Sequence, residues 1–416
     1  MIKIKNDNIV KISVISLLIV CYKFFYLFPL PAGYGNRSNQ LIYVPFTIFF
    51  ILITFLFYKF SGYLFIFSRY LLIIFFLLIC ELIFTLFRYP EEPMSNSITQ
   101  IIPYLSLFSY YLFSIYSQEN LTKFIKLIIL FSSLASAICI IEYILYTKMG
   151  VSIFKIYGFN YNQNADLSSN TMGIVRANGR QRLIGCDLID YSIVGSFCSL
   201  ISKKINIPKI EIYINIVLVY LYELFVAQTR SIFFYSITIF LIIIILKSKF
   251  LFKKTLIYSV TLAFCLFIVR IIRIQLIYRS DYSLFHRIDE AEFYFSRFFS
   301  SPLFGNGLLK DKPLWVENYM LIHGTNIYAS NSYNDIGLIG QIGNFGMIGL
   351  VISLYFPIKV FKLMRKYKEQ LLVPIFLFSI LSLINLSLID AERLPVLAVL
   401  MALVDGIISS KKRENV

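Results

Sequence analysis

Three arginines, Arg176, Arg180 and Arg182, fall within seven residues, and Arg230, Arg270, Arg273, Arg279, Arg287 and Arg297 follow at wider spacing. A guanidinium is always charged and carries a planar fork of N–H donors that meets phosphate oxygens two at a time. Such a set is suited to holding a diphosphate. The chain has two histidines, His286 and His323; with ordinary pKa values near neutrality, they make a short list of general bases. Glu81, Glu142 and Glu223 stand inside apolar stretches, as partners for the arginines or as the base instead. A blander reading stays open beside this one. The arginines would then pair with Asp187, Asp190, Asp281, Asp289 and Glu290 or with lipid headgroups, and the histidines would be polar loop residues.

Other chemistries find less footing. Two histidines 37 positions apart, without H-E-x-x-H or D-x-D, are a poor ligand set, and the six cysteines contain no C-x-x-C. No metal or other cofactor is expected. G-x-x-x-x-G-K-[ST] does not occur, which argues against a pump driven by ATP.

The elements that must position these residues follow from composition. The chain is 58% hydrophobic and 15% charged over 416 residues, too apolar for one or two soluble cores. It reads as an all-α, polytopic membrane protein forming a single transmembrane domain over 1–416. Apolar segments long enough to cross a bilayer, about 17–25 residues each, fall at 12–30, 41–58, 62–87, 98–116, 124–146, 185–202, 208–227, 231–246, 254–278, 335–357, 371–389 and 394–410. That gives about 12 helices, or 11 if the arginine-bearing 254–278 is not a span. The first segment lacks a small-residue cleavage site and is expected to be a span, not a signal peptide.

Net charge is +16. Alternate connections hold 22 of the 39 basic residues against five acids, among them Lys59, Lys123, Lys203, Lys204, Lys359, Lys362, Lys368, Lys411 and Lys412. The positive-inside rule makes that set cytoplasmic and puts both termini inside. The whole net charge is thus a topology signal, and no nucleic-acid partner is expected. Of 24 lysines, 19 belong to this set, whereas only Arg69, Arg365 and Arg413 of the 15 arginines do. Lysine marks the side; arginine is held back for the other face or the spans.

Cytoplasmic connections are about ten residues or fewer, with no room for a nucleotide-binding domain. Two long connections are predicted on the extracytoplasmic side, at 147–184 and 279–334. Loops of that length in a compact protein are usually functional. In the second, Leu284, Ile288, Ala291, Phe295 and Phe298 recur at helical spacing. They predict an amphipathic helix over 284–299, lying in the membrane interface and stopped by Pro302 and Gly305–Asn306–Gly307.

In this order the motifs resemble those of the O-antigen polymerases (Wzy-type) and their relatives the O-antigen ligases. Arg182-Leu183-Ile184-Gly185 resembles the family's Arg-x-x-Gly, and Gln228-Thr229-Arg230-Ser231 its Ser/Thr-Arg-Ser turn. Arg287 followed by Pro302-x-x-Gly305-x-Gly307, His323 ahead of a span, and the glycine-rich run 331–349 resemble three further segments. His323 stands ten residues before Tyr333 rather than directly before the span, a departure that tilts the reading toward polymerase. The resemblance implies a GT-C-like, metal-independent glycosyltransferase in the bacterial inner (cytoplasmic) membrane, with its active site on the periplasmic side. Its substrate would be an undecaprenyl-diphosphate-linked oligosaccharide, polymerised into O-antigen or a similar surface polysaccharide of the lipopolysaccharide type. His323 and Arg287 would be catalytic, and Arg176, Arg180, Arg182 and Arg230 would bind the diphosphate. Membrane lipid is an implied partner, and a chain-length regulator protein is compatible with it. Two alternatives stand beside this: a ligase transferring the glycan to a lipid A core, and a lipid-linked glycan flippase.

Overall fold

The computed structural model describes residues 6–27, 42–58, 62–91, 93–149, 173–175, 181–183, 187–202, 204–227, 230–247, 255, 259, 282–309 and 336–414. The described chain is helical apart from one two-stranded hairpin. In order, α1 is Asn6–Cys21, α2 Val44–Phe57 and α3 Ser68–Arg88. Helix α4 (Met94–Ile101) runs through a 3-10 segment, Ile102–Phe108, into α5 (Ser109–Glu119), and α6 is Leu121–Met149. Strands β1 (Gly173–Val175) and β2 (Gln181–Leu183) pair antiparallel. Next come α7 (Asp187–Ile201), α8 (Lys209–Leu221) with a π-helical turn Tyr222–Ala227, and α9 (Arg230–Lys247). The last four are α10 (Tyr282–Ser300), α11 (Gly337–Tyr367), α12 (Leu372–Leu381) and α13 (Leu394–Glu414).

Among the described residues, six helical runs are long and apolar enough to cross a membrane: Ser68–Arg88, Met94–Glu119, Leu121–Met149, Lys209–Ala227, Gly337–Tyr367 and Leu394–Glu414. Five shorter apolar helices accompany them. Each of these helices overlaps one of the expected segments. The segment 254–278 lies outside the described residues apart from 255 and 259. Several boundaries differ from the hydropathy pattern, among them α1, which covers Asn6–Cys21 against an expected 12–30, and the ends of α11 and α12. Helix α11 runs on to Tyr367 because its basic last turns keep helical geometry beyond the apolar stretch, and Lys368 then ends it in the left-handed conformation. Helix α12 stops at Leu381, well short of 389, and Leu386 takes a positive φ in the turn that follows.

Helix α13 is the centre of the bundle, with 83% of its apolar window buried. It packs against α5 most extensively, and also against α6, α7, α11 and α12. Close approach comes from small residues, as in membrane helix pairs generally. Ser117 Oγ donates to the Ala402 carbonyl at 2.6 Å, and a Cβ on Gly406 would sit 2.9 Å from the Ser117 carbonyl oxygen. Asp405 is the buried polar anchor. Its carboxylate accepts from Tyr110 Oη and Ser114 Oγ, each at 2.6 Å, and from the Ile66 amide at 3.3 Å. Asp405 therefore ties α5 and the chain ahead of α3 to α13.

One end of the bundle collects the lysine-rich connections. Glu119 accepts from Tyr58 and Tyr63 at 2.5 and 2.6 Å, and Gln118 exchanges hydrogen bonds with Leu64. Lys126 pairs with Glu211 at 3.2 Å, Lys204 with Glu414, and Lys411 with Glu369 at 3.8 Å. The opposite end holds the α3–α4 connection, the turn before α9, the start of α11 and the segment after α12.

Candidate functional site

The opposite end is organised around a break in α11. A long apolar helix normally satisfies its own backbone, which is why only helices and closed barrels cross lipid; irregular backbone at that depth must be buried in protein. Gly346 interrupts α11 with φ 57°, ψ −141°. The interruption strands carbonyls before it and amides after it. Residues 302–307, following α10, meet them. Asn306 and Gly307 amides donate to the Asn344 carbonyl at 2.9 and 3.0 Å, and the Met347 amide donates to the Pro302 carbonyl at 2.8 Å.

The fit requires glycine at two places. A Cβ on Gly346 would lie 2.5 Å from the Leu303 carbonyl, and one on Gly305, at φ 59°, would lie 2.6 Å from the Gly343 carbonyl oxygen. Helix α3 clamps the same segment from its other side. Arg88 Nη1 donates to Ser301 Oγ at 3.0 Å and to the Gly305 carbonyl at 2.9 Å. Thr85 Oγ1 accepts from the Leu308 amide at 2.8 Å, and Phe84 stacks on Phe304 with centroids 4.3 Å apart.

This clamp fixes α10, which lies directly on α11: a Cβ on Gly343 would be 2.5 Å from the Tyr294 carbonyl oxygen. Glu290, Phe293 and Tyr294 face the protein, while Ile288, Phe295 and Phe299 are 43%, 48% and 66% exposed. Ile288, Glu292, Phe295 and Phe299 thus lie on the outward side of α10, and Glu290, Phe293 and Tyr294 on the inward side. Burial and the Glu290 carboxylate push the Tyr294 hydroxyl above its usual range, so it stays protonated at neutral pH. Arg287, on the same helix, is half-buried and within electrostatic reach of Tyr235 on α9.

Helix α9 begins at Arg230. The π-helical turn Tyr222–Ala227 ends three residues earlier and carries Glu223, and β2, which holds Arg182 in register with Ile174, packs against that turn. The strand bearing Arg182 and the first turns of α9, which Arg230 opens, thus both border the π-helical turn, while Arg287 reaches α9 through its influence on Tyr235. Arg182 lies in a strand that ends shortly before α7. Arg176, Arg180 and His323 lie outside the described residues.

Buried carboxylates concentrate in the same half. Glu223 is 1% exposed, with the Ser236 hydroxyl near its carboxyl group and Asp190, 2% exposed, as its electrostatic neighbour. Glu81 is fully buried on α3, with the Tyr104 hydroxyl lying in the field of both Glu81 and Asp390. Asp390 and Arg393 form a buried ion pair at 2.9 Å. This pair is absent from the list of residues that sequence reasoning singles out. Its signal was the i,i+3 acid and base of Asp390-Ala391-Glu392-Arg393 between two apolar segments.

The chain matches no family model, and no curated protein is significantly similar to it.

Proposed function

We propose that the protein is a membrane glycosyltransferase that polymerises undecaprenyl-diphosphate-linked oligosaccharides on the extracytoplasmic face of the bacterial cytoplasmic membrane. The observation that carries this reading is that the strand bearing Arg182 and the helix that Arg230 opens both pack on the π-helical turn Tyr222–Ala227, with Arg287 acting on Tyr235 of that helix, at the end remote from the lysines. Guanidinium groups grip phosphate oxygens two at a time, and a lipid diphosphate approaching from the bilayer presents such oxygens at this end.

In this reading the acceptor hydroxyl oxygen attacks the anomeric carbon of the donor. The bond from that carbon to the diphosphate oxygen breaks, and undecaprenyl diphosphate departs with the electron pair. Arg182, Arg230 and Arg287 offset the charge that develops on the leaving group, with Arg176 and Arg180 beside them. His323 takes the acceptor proton. The chain's remaining task is to hold two amphipathic substrates in line. The clamp of residues 301–308 supports that task, because it fixes the helix on which Arg287 rides.

The test uses purified protein in lipid, given only undecaprenyl-diphosphate-linked repeat units, with chelator present. The expected product is a ladder on a gel, lost in Arg287→Ala and in His323→Ala. A ladder that survives Arg287→Ala overturns the role of the arginine, and one that survives His323→Ala moves the base to an acid such as Glu223 or Glu142. No ladder, with transfer to a lipid A core acceptor instead, makes the protein a ligase.

A further inference from the structure

At the lysine-rich end, a groove of about 560 Å³ opens between α11 and α12. Its walls are Pro357, Ile358, Phe361, Phe376 and Ile380, and its remaining lining is Lys362 and Arg365. Pro357 helps to make it: a proline inside a helix has no amide to give the carbonyl four residues back, and its ring pushes that turn apart. Ile358, Phe361 and Ile380 are 47%, 39% and 38% exposed, so the apolar wall is open to the surroundings. Phe361 and Phe376 line it with ring centroids 5.3 Å apart, and the Arg365 guanidinium lies 5.9 Å from the Phe361 ring.

The polarity is ordered along the helix axis. From Pro357 to Arg365 is about 12 Å at 1.5 Å per residue, apolar at the deep end and basic at the end where the lysine-rich connections gather. Lys362 and Arg365 form no ion pair among the described residues. A cationic rim over an apolar cleft is complementary to one molecule of an anionic phospholipid, with its phosphate at Lys362 and Arg365 and an acyl chain along Ile358, Phe361 and Ile380.

We propose that this groove is a specific site for an anionic phospholipid of the lysine-rich leaflet, seated between α11 and α12. The site is independent of the glycan chemistry at the other end.

Native mass spectrometry of the full chain in detergent, titrated with dioleoyl phosphatidylglycerol or dioleoyl phosphatidylcholine, tests it. Wild type is expected to retain phosphatidylglycerol in preference to phosphatidylcholine. Each charge removed is expected to weaken phosphatidylglycerol about fivefold, so Lys362→Gln with Arg365→Gln weakens it about 25-fold and leaves phosphatidylcholine unchanged. Ile380→Trp, which fills the cleft with both cations intact, is expected to lose phosphatidylglycerol as well. Equal retention of the two lipids by wild type overturns the proposal, as does retention by both groove variants. Lys412→Gln removes one charge elsewhere at the same end; a loss as large as in the groove variants makes the effect general surface attraction and overturns it too. Competition by glycerol 3-phosphate as effective as by the whole lipid makes this a soluble-anion site and also overturns it.

Discussion

The Met347 amide donates to the Pro302 carbonyl at 2.8 Å, joining the first free amide beyond the break in α11 to the residue just after α10. Two segments far apart in sequence thereby complete each other's backbone. Neither is self-sufficient in lipid: the break needs outside donors and acceptors, and residues 302–307 need a wall to fold against.

Gly346→Ala is expected to undo that arrangement. The added Cβ meets the Leu303 backbone at 2.5 Å, and the backbone at φ 57°, ψ −141°, a region nearly confined to glycine, adds a cost of about 1–3 kcal/mol. Thermal unfolding should fall, and proteolysis within 301–309 should accelerate. Gly195→Ala is the control, since its Cβ finds ordinary contacts of 3.5–3.9 Å on Ile125, Ile128 and Ile129. Within helix α7 it should be neutral or stabilise by up to about 1 kcal/mol.

Arg88→Ala removes both bonds that hold the far side of the clamp, to Ser301 and to the Gly305 carbonyl. Charge-assisted hydrogen bonds of this kind contribute about 1.5–3 kcal/mol. Proteolysis within 301–309 should rise, with a smaller rise in Arg88→Lys, which keeps the charge but loses the fork. Equal rates in wild type and Arg88→Ala would remove Arg88 from the clamp.

The Asp390–Arg393 pair predicts a non-additive result. Arg393→Ala removes the guanidinium that lies 2.9 Å from the buried Asp390 carboxylate and should cost up to about 3–5 kcal/mol. Asp390→Asn combined with Arg393→Gln should recover part of that loss, because both charges of the pair are removed together. A double-mutant cycle on thermal stability checks the coupling, and additive losses would contradict it.

Asp405→Ala leaves Tyr110, Ser114 and the Ile66 amide without their shared acceptor. Each unmet buried group costs about 1–3 kcal/mol. Asp405→Asn keeps the accepting carbonyl and should be milder. Both should lower unfolding temperature, while turnover per folded molecule stays at the wild-type level.

Hydropathy and charge alternation made the helices and their two ends legible. Glu119, Lys204, Glu369 and Lys411 meet at one end because the connections that carry them are short. The glycine-rich run 331–349 stood out as unusual, but nothing local distinguishes Gly346 from Gly343, Gly340 or Gly349. The bend is placed by the backbone of Leu303, more than forty positions away, and such long-range contacts leave no periodicity to read. The strand that carries Arg182 is too short to show an alternating pattern, and its pairing with Ile174 is again a contact between separate segments. Asp390 and Arg393 were hidden by their position at a turn between spans, where charges normally face water; burial of the segment after α12 makes them a pair.

Helix α13 follows in sequence every helix that surrounds it. A chain made from its N-terminus therefore emits the residues of α5, α6, α7, α11 and α12 before those of their common partner. Tyr110 and Ser114 meet Asp405, and Ser117 meets Ala402, only once residues 394–414 have been made, so these contacts are the last of the bundle that the growing chain can close.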